Sequence, residues 1–475
     1  MEIRSETFRP AARAALGNRD LQQALARVQE GFVGKRRLLV DRFPDFEGLR
    51  DRGQHIKDHT LANLDWYLEA FEARVTEAGG VVHWAADQAE AQAIVTGICR
   101  EAGARKVTKG KTMAGEEVQL NEALEAAGFE TIETDLGEYI IQLAQEPPSH
   151  IIAPAIHKTR QQISDLFNHH HHQGTLGEAM REVPELVDEA RRILREQFLS
   201  ADVGITGANC LVAETGSLFL VTNEGNGDLT HGLPPVHIAI AGIEKVVPTL
   251  DDANTLLRLL ARSATGQEMT AYTTMVTGPR RAADTDGPEA FHIVLLDNGR
   301  TRMLGGHYRS MLRCIRCGAC MNHCPVYSAI GGHAYGWVYP GPMGSVLTPL
   351  IQGLDRTRDL PNACTLNGRC QSVCPVRIPL PELLRELREE QYDQRLISRT
   401  ARLGLAVWAW FARRPRVYAT AARLGIGAMG RLGRRRGRFR WLPLAGGWTA
   451  ARDFPAPART TFQAAWRRQQ ESDHD

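Results

Sequence analysis

Residues 314–325 read CIRCGACMNHCP, and residues 364–375 read CTLNGRCQSVCP. The first stretch spaces Cys314, Cys317, Cys320 and Cys324 as C-x2-C-x2-C-x3-C and closes on Pro325. The second spaces Cys364, Cys370 and Cys374 as C-x5-C-x3-C and closes on Pro375. Seven of the nine cysteines lie here, so this region carries the chain's thiol chemistry. Thiolates at i, i+3 and i+6 wrap the chain around an iron–sulfur cubane, and the fourth cysteine of such a motif ordinarily ligates the other cluster. The prolines turn the chain and withhold a backbone donor. Zinc prefers four ligands, usually in two separated pairs, and disulfides suit exported chains. The spacing therefore points to two iron–sulfur clusters.

The second stretch is not a copy of the first, because Asn367 stands where a second cysteine would. Under crossed ligation one cluster takes Cys314, Cys317, Cys320 and Cys374, a full set for 4Fe–4S. The other takes Cys324, Cys364 and Cys370 and is one thiolate short. A cubane lacking one protein thiolate tends to lose that iron and settle as 3Fe–4S. The competing reading keeps a labile fourth iron at the Asn367 corner, with water or Asn367 as ligand. The paired motifs resemble the iron–sulfur subunit of succinate dehydrogenase and fumarate reductase. That resemblance implies 4Fe–4S for the full set and 3Fe–4S for the short one. The gap between the motifs is too long for a compact bacterial ferredoxin, so a helical ferredoxin domain is expected over 301–395.

At 475 residues the chain has room for two or three domains. Charged residues at 24% and apolar residues at 43% are ordinary for a soluble globular protein and exclude a disordered or fibrous class. The longest apolar run, LGLAVWAWFA at 403–412, is too short to span a bilayer. The opening MEIRSETFRPAARAALGNRD lacks an apolar signal core. A cytoplasmic location is expected, where thiols stay reduced. No glycine-rich dinucleotide or phosphate loop follows a strand, so a nucleotide fold is not expected.

Residues 1–79 read as a helical, auxiliary region. Leu61, Leu64, Leu68, Phe71 and Val75 fall at helical spacing over 59–78, with a stop at Gly79–Gly80. Residues 80–300 alternate strands (80–85, 106–110, 129–134 and a buried apolar strand at 150–156) with helices (86–102 and around 115–127). This alternation predicts an α/β domain with a mainly parallel sheet. The tract HHHH at 169–172 reads as a loop beside a helix over 158–167, since four consecutive His cannot converge on one ion from a regular helix. The densest stretch is DVGITGANCLVAETGSLFLVTNEGN at 202–226, with strand-like runs at 210–213 and 217–222 and a further strand over 237–249. Glu214, Thr215, Asn223, Glu224 and Asn226 gather at strand ends, where α/β sheets hold ligands. They form a candidate ligand pocket, or else serve as turn and cap residues. Cys99 and Cys210 read as small core residues.

KGKTMAGEEVQLNEAL (109–124), TDLGEYIIQLAQEPPSHIIAPAIHKTR (134–160) and the 202–226 stretch resemble the LUD domain of the lactate utilization protein B family. The ferredoxin region follows in that family's order, and the resemblance runs from about residue 60 to 470. It implies an α/β LUD domain, related to sugar isomerase and CoA-transferase-like folds, ahead of an α-helical ferredoxin domain. It also implies lactate utilization protein A-like and C-like partner subunits that together oxidise L-lactate to pyruvate. This chain is then a non-catalytic electron-carrier subunit of an L-lactate dehydrogenase complex. Two alternatives stand beside that reading. The LUD pocket is an enzyme site for a small 2-hydroxy acid with the clusters as electron outlet, or the chain is an iron- or redox-sensing binding module. The nucleophilic Glu of some related folds is not carried over to Glu214, since only domain-level analogy supports it.

Between the motifs, His333, Tyr335, Trp337 and Tyr339 lead into GPMGSVLTPL (341–350), an aromatic cover expected over the clusters. Pro381 is expected at the first turn of the next helix. The extension 396–475 is basic and Trp-rich. Residues 401–475 hold 15 Arg, no Lys, 4 acidic groups and five of the eight Trp. Such a tail suits an acidic surface: peripheral contact with the inner face of a membrane or the respiratory chain, or a partner subunit. No nucleic-acid partner is expected. An amphipathic helix is expected to end near Pro415.

Overall fold

The computed structural model describes residues 3–171, 180–443 and 445–472. The chain divides into two compact units, one ending at Asp393 and one beginning at Gln394.

Among the described residues of the first unit ten strands follow in order: β1 (Val81–Ala85), β2 (Lys106–Lys109), β3 (Glu130–Glu133), β4 (Val203–Thr206), β5 (Cys210–Val212), β6 (Ser217–Thr222), β7 (Val236–Gly242), β8 (Val246–Val247), β9 (Tyr272–Val276) and β10 (Ala290–Leu296). Six of them form a sheet ordered β1-β10-β7-β4-β2-β3, parallel at every pairing. The central strands are near-continuous apolar runs because helices cover both faces. Val203, Ile205, Ile238, Ile240, Val294 and Leu296 are all fully buried and pack with Val95 and Cys99 of the helix Gln88–Glu101. Asp87 caps that helix through the Glu90 amide, and Gly103, at φ +62°, lets the chain leave it. A second sheet, ordered β8-β5-β6-β9, carries the 202–226 stretch as an antiparallel β5–β6 hairpin. Cys210 lies buried in β5.

The residues expected as a strand at 150–156 form turns instead. Pro147, Pro148 and Pro154 remove ladder donors there. His150 Nδ1 accepts the amides of Ile152 and Ala153 at 3.0 and 3.1 Å, and its Nε2 donates to Asn322 Oδ1 at 2.9 Å. This stretch is a seam between the α/β domain and the cysteine region. His333 Nε2 donates to the Pro147 carbonyl at 2.8 Å in the same seam. The helix expected around 115–127 is two, Met113–Glu117 and Leu120–Ala126, parted at Gln119 with φ +53°. The run 237–249 likewise divides, giving β7 to one sheet and β8 to the other.

His169, His170 and His171 are the last turn of the helix Arg160–His171 rather than a loop; His172 lies outside the described residues. The helix continues because His171 packs against Tyr139 and Phe167, and its Nε2 meets the Tyr139 hydroxyl at 2.9 Å. The expected helix over 59–78 is broken at Asn63 into Phe46–Ala62 and Leu64–Glu77.

The N-terminal helices clasp the cysteine region. The Arg4 amide donates to Gly336 O, Ser5 Oγ to Tyr335 O, and Gln22 Nε2 to Ala329 O, each at 2.8 Å. The cysteine region itself is built of short helices, Ala319–Asn322, Pro325–Ile330 and Arg369–Val373, with the longer Gly341–Gln352 and Leu380–Asp393 packed behind them.

The second unit holds the helices Arg399–Ala412, Pro415–Leu432 and Phe462–Ser472. A two-residue pairing of β11 (Arg438–Phe439) with β12 (Phe454–Pro455) lies between the last two. Pro415 opens the second helix, where its missing N–H costs nothing. No residue of Arg399–Ala412 is buried, and Trp408 is 63% exposed. Among the described residues no helix is long and apolar enough to cross a membrane.

Candidate metal centres and the adjoining cavity

The fold brings Cys374 of the second motif to the three leading cysteines of the first. Cys314, Cys317, Cys320 and Cys374 line one small, almost wholly apolar cavity with Ile151, Ile315, Met343 and Ile378. Burial first, then Cys374 and Cys314, pushes the Cys317 thiol up to about 12. Burial first, then Cys364 and Cys324, likewise pushes Cys370 up to about 12. Cys374 therefore faces the first motif's triplet, and Cys324 faces the second motif's pair. Among the described residues no three of these thiols lie within 4.8 Å of one another. One zinc ion, with Zn–S bonds of about 2.3 Å, would draw its ligands closer than that. A polynuclear iron–sulfur group fits the wider spread. Buried thiols that resist bare ionisation also suit capture by a cationic metal core.

Backbone geometry shows how short loops achieve this. In the first motif Arg316 (φ +59°) and Gly318 (φ +73°) flank Cys317; in the second Leu366 (φ +55°) and Gly368 (φ +78°) flank Asn367. These left-handed residues fold each loop back on itself and aim successive amides at sulfur. Leu366 N donates to Cys364 Sγ and Ile378 N to Cys374 Sγ, both at 3.3 Å. Such N–H···S bonds stabilise anionic sulfur and raise cluster potentials. Asn367 does not mimic a thiolate: its Oδ1 accepts from Arg369 N at 3.0 Å, and the residue is exposed.

Several arginines that the sequence reading passed over hold these loops. Arg50 Nε and Nη2 donate to the Cys374 carbonyl at 3.0 and 2.8 Å. Arg36 Nη2 donates to Val373 O at 3.1 Å, and Arg388 Nη2 to Cys364 O at 3.0 Å. Arg36 and Arg50 come from the N-terminal helices, so that region is not auxiliary. Lys57, 2% exposed, donates to the Glu244 carbonyl. Burial lowers its pKa to about 8, against the pull of Glu244, Cys210 and Cys314. Cations thus collect around the four-cysteine set, where they offset thiolate charge. Buried arginines hundreds of residues away leave no periodic signal in the sequence. Tyr335, Trp337 and Tyr339 are buried as expected for a cover, whereas His333 is exposed.

A cavity of about 250 Å³ opens at the carboxyl ends of β2, β3, β4 and β7, where open α/β sheets hold ligands. Asn223, Glu224 and Asn226 line it. Glu214 and Thr215 do not: Glu214 Oε2 accepts from Leu250 N at 3.0 Å and serves the start of the helix Leu250–Ala264. The opposite wall comes from the cysteine region through Ile315, Arg316 and Tyr339. Lys111 also lines it, as do Glu244 and Lys245 at the end of the 237–249 run.

Beneath this cavity lies a buried ion network. Arg300 pairs with Glu117 at 2.8 Å and with Glu244 at 2.5 Å, all three 3% exposed or less. Tyr339 donates to Glu117 Oε2 at 2.7 Å, and Arg316 reaches Glu244 at 3.3 Å. Burial alone would raise the Glu244 carboxyl, but Arg300 and Arg316 hold it down at about 2. Gly242 leaves the space: a Cβ there would strike the Glu244 carboxylate and the Arg300 guanidinium. The network locks the cysteine region's Arg316 and Tyr339 to the sheet.

The LUD domain family matches residues 68–296, and the 4Fe-4S dicluster domain matches residues 310–378. The cysteine region is thus an iron–sulfur dicluster domain. The chain is 42% identical over 468 residues to "Lactate utilization protein B" of Lysinibacillus sphaericus, covering 98% of this chain and 97% of that protein. It is 41% identical over 474 residues to "Uncharacterized electron transport protein YkgF" of Escherichia coli, with the same coverage of each. To "Lactate utilization protein B" of Bacillus velezensis it is 41% identical, again covering 98% and 97%.

Proposed function

Since this chain belongs to the lactate utilization protein B family, we propose that it is the iron–sulfur electron-transfer subunit of a complex oxidising L-lactate to pyruvate. Lactate utilization protein A-like and C-like subunits are its partners in this reading. Cys314, Cys317, Cys320 and Cys374 hold a 4Fe–4S cluster. Cys324, Cys364 and Cys370 hold a 3Fe–4S cluster or a labile four-iron one. When bound, the clusters supply one-electron acceptance and release. The chain's own residues exclude water through Ile151, Met343 and the aromatic cover, donate amides to sulfur, and place Arg36, Arg50 and Lys57 as counter-charges. The observation that supports the reading is the cavity that Cys374 of the second motif shares with Cys314, Cys317 and Cys320 of the first, inside a dicluster domain.

The test is anaerobic EPR on the purified chain with L-lactate, with and without the partner subunits. Lactate is expected to reduce the clusters only when the partners are present. Rapid conversion of lactate to pyruvate by this chain alone would replace the carrier reading with that of a pocket enzyme, which the cavity beside Arg316 favours as the second reading. Clusters that stay oxidised with all partners and lactate present would remove the chain from the electron path.

A further inference from the structure

The cavity between the parallel sheet and the first cysteine loop has features that neither packing nor cluster binding uses. Lys245 lines it and makes no hydrogen bond or ion pair among the described residues. Among charged groups the cation Arg316 acts on it most strongly and the Glu244 carboxylate next, and Cys314 lies within electrostatic reach. Arg316 is only partly satisfied, since Glu244, its acidic partner at 3.3 Å, is claimed at 2.5 Å by Arg300. Its guanidinium lies over the Tyr339 ring, 4.8 Å from the centroid. Lys245 and Arg316 share the one carboxylate of Glu244, whose other oxygen Arg300 holds, so the half-enclosed space they line carries excess positive charge and forms an anion site.

The other end of the cavity has the opposite character. Asp135 and Glu224 line it and feel each other and Lys111, whose ammonium is taken by the Ile152 carbonyl at 2.6 Å. Between the sheet ends, Asn226 is 6% exposed, and its Oδ1 is buried without a partner. A buried carboxamide oxygen with no donor is destabilising, and a ligand hydroxyl would relieve it. Carboxylates at this end repel a second negative charge. The volume of about 250 Å³ suits a molecule of few heavy atoms.

We propose that this cavity binds a small monocarboxylate bearing a hydroxyl group, its carboxylate on Lys245 and Arg316 and its hydroxyl toward Asn226. The preference for a hydroxyl over an ammonium rests on the lactate reading above; the anion end rests on Lys245 and Arg316 alone. The site lies against the loop between Cys314 and Cys317, so the bound acid adjoins the four-cysteine set. Electron transfer to or from it is not part of the assignment.

The test is calorimetric titration of the oxidised, cluster-loaded full chain without partners, using L-lactate, propionate, L-alanine, L-malate and inorganic phosphate. Saturable L-lactate binding at one site per chain is expected, with propionate, alanine, malate and phosphate each at least about tenfold weaker. Lys245→Gln is expected to weaken lactate about tenfold or more with the visible cluster absorbance unchanged, and Lys245→Arg to restore most of it. Asn226→Ala is expected to narrow the difference between lactate and propionate. The proposal is overturned if lactate shows no saturable binding, if phosphate or alanine binds more tightly, or if Lys245→Gln and Asn226→Ala both bind lactate as before. Because no partner and no reduction enter this titration, its failure leaves the electron-carrier reading standing, and the converse also holds.

Discussion

Asn367 occupies the same backbone setting as Cys317, between two left-handed residues, yet Cys317 is buried at 7% exposure and Asn367 faces solvent. Its carboxamide is spent on the Arg369 amide. The corner that Cys317 fills in one set therefore has no protein thiolate in the other.

The oxidised protein is accordingly expected to give a 3Fe–4S EPR signal beside an EPR-silent oxidised 4Fe–4S cluster. Asn367→Cys should convert the three-iron cluster to four-iron and lower its potential, because the added thiolate makes the site more negative. Two intact four-iron clusters in the wild type, with no three-iron signal after mild oxidation, would show that the corner keeps its iron.

Cys374→Ala should damage the cluster of the first motif although the residue lies in the second. Cys374 sits in the cavity of Cys314, Cys317 and Cys320, and Arg50 holds its carbonyl. Iron content and EPR should show the four-iron cluster lost and the three-iron signal kept. Loss of the three-iron signal instead would mean that ligation is not crossed.

Arg300→Met should be among the most damaging single changes outside the cysteines. It strands Glu117 and Glu244, both fully enclosed, without their main cation. Removing one partner of a buried ion pair costs about 3–5 kcal/mol. Anaerobic denaturant unfolding of the variant measures this, and a loss under about 1 kcal/mol would mean that Arg316 and Tyr339 compensate.

Acid should loosen the seam at His150. The ring is 1% exposed, and burial lowers its pKa from 6.5 to about 4. The folded state keeps it neutral while the unfolded chain protonates below about pH 6.5, so its contribution is complete above that pH and is lost as pH falls toward 4. The full difference is about 3 kcal/mol. His150→Gln should flatten the stability profile between pH 6.5 and 4. A profile as steep as that of the wild type would assign the acid sensitivity to other groups.

Truncation after residue 395 should leave both clusters intact, because every motif cysteine lies in the unit that ends at Asp393. It removes 16 Arg, five Trp and an exposed apolar helix. Binding to anionic vesicles or to partner subunits should fall, and added salt should weaken the same binding in the intact chain. Unchanged co-sedimentation of the truncated chain would make the extension a solvated arm.

Cysteine spacing by itself determined the cluster-binding region and raised the expectation of crossed sets with an odd corner at Asn367, because iron–sulfur ligation is dictated by short-range loop geometry. Strand-like runs at β1, β2, β3 and β7 and the stop at Gly79 marked the α/β domain, since periodicity and left-handed glycines are local properties. Local pattern misled at 150–156, where Pro154, the prolines at 147 and 148 just before the stretch and the His150 side chain displace the ladder that the apolar residues suggested. It misled also at Glu214 and Thr215, which sit in the β5–β6 turn, at the opposite end of β6 from Asn223, Glu224 and Asn226. Only the tertiary structure brought Arg36, Arg50 and Lys57 from the N-terminal helices to the cysteine loops, and set Arg316 against Lys245 across the cavity. Those contacts join residues far apart in the chain, and a charged side chain at a helical position reads as solvated until the fold shows what buries it.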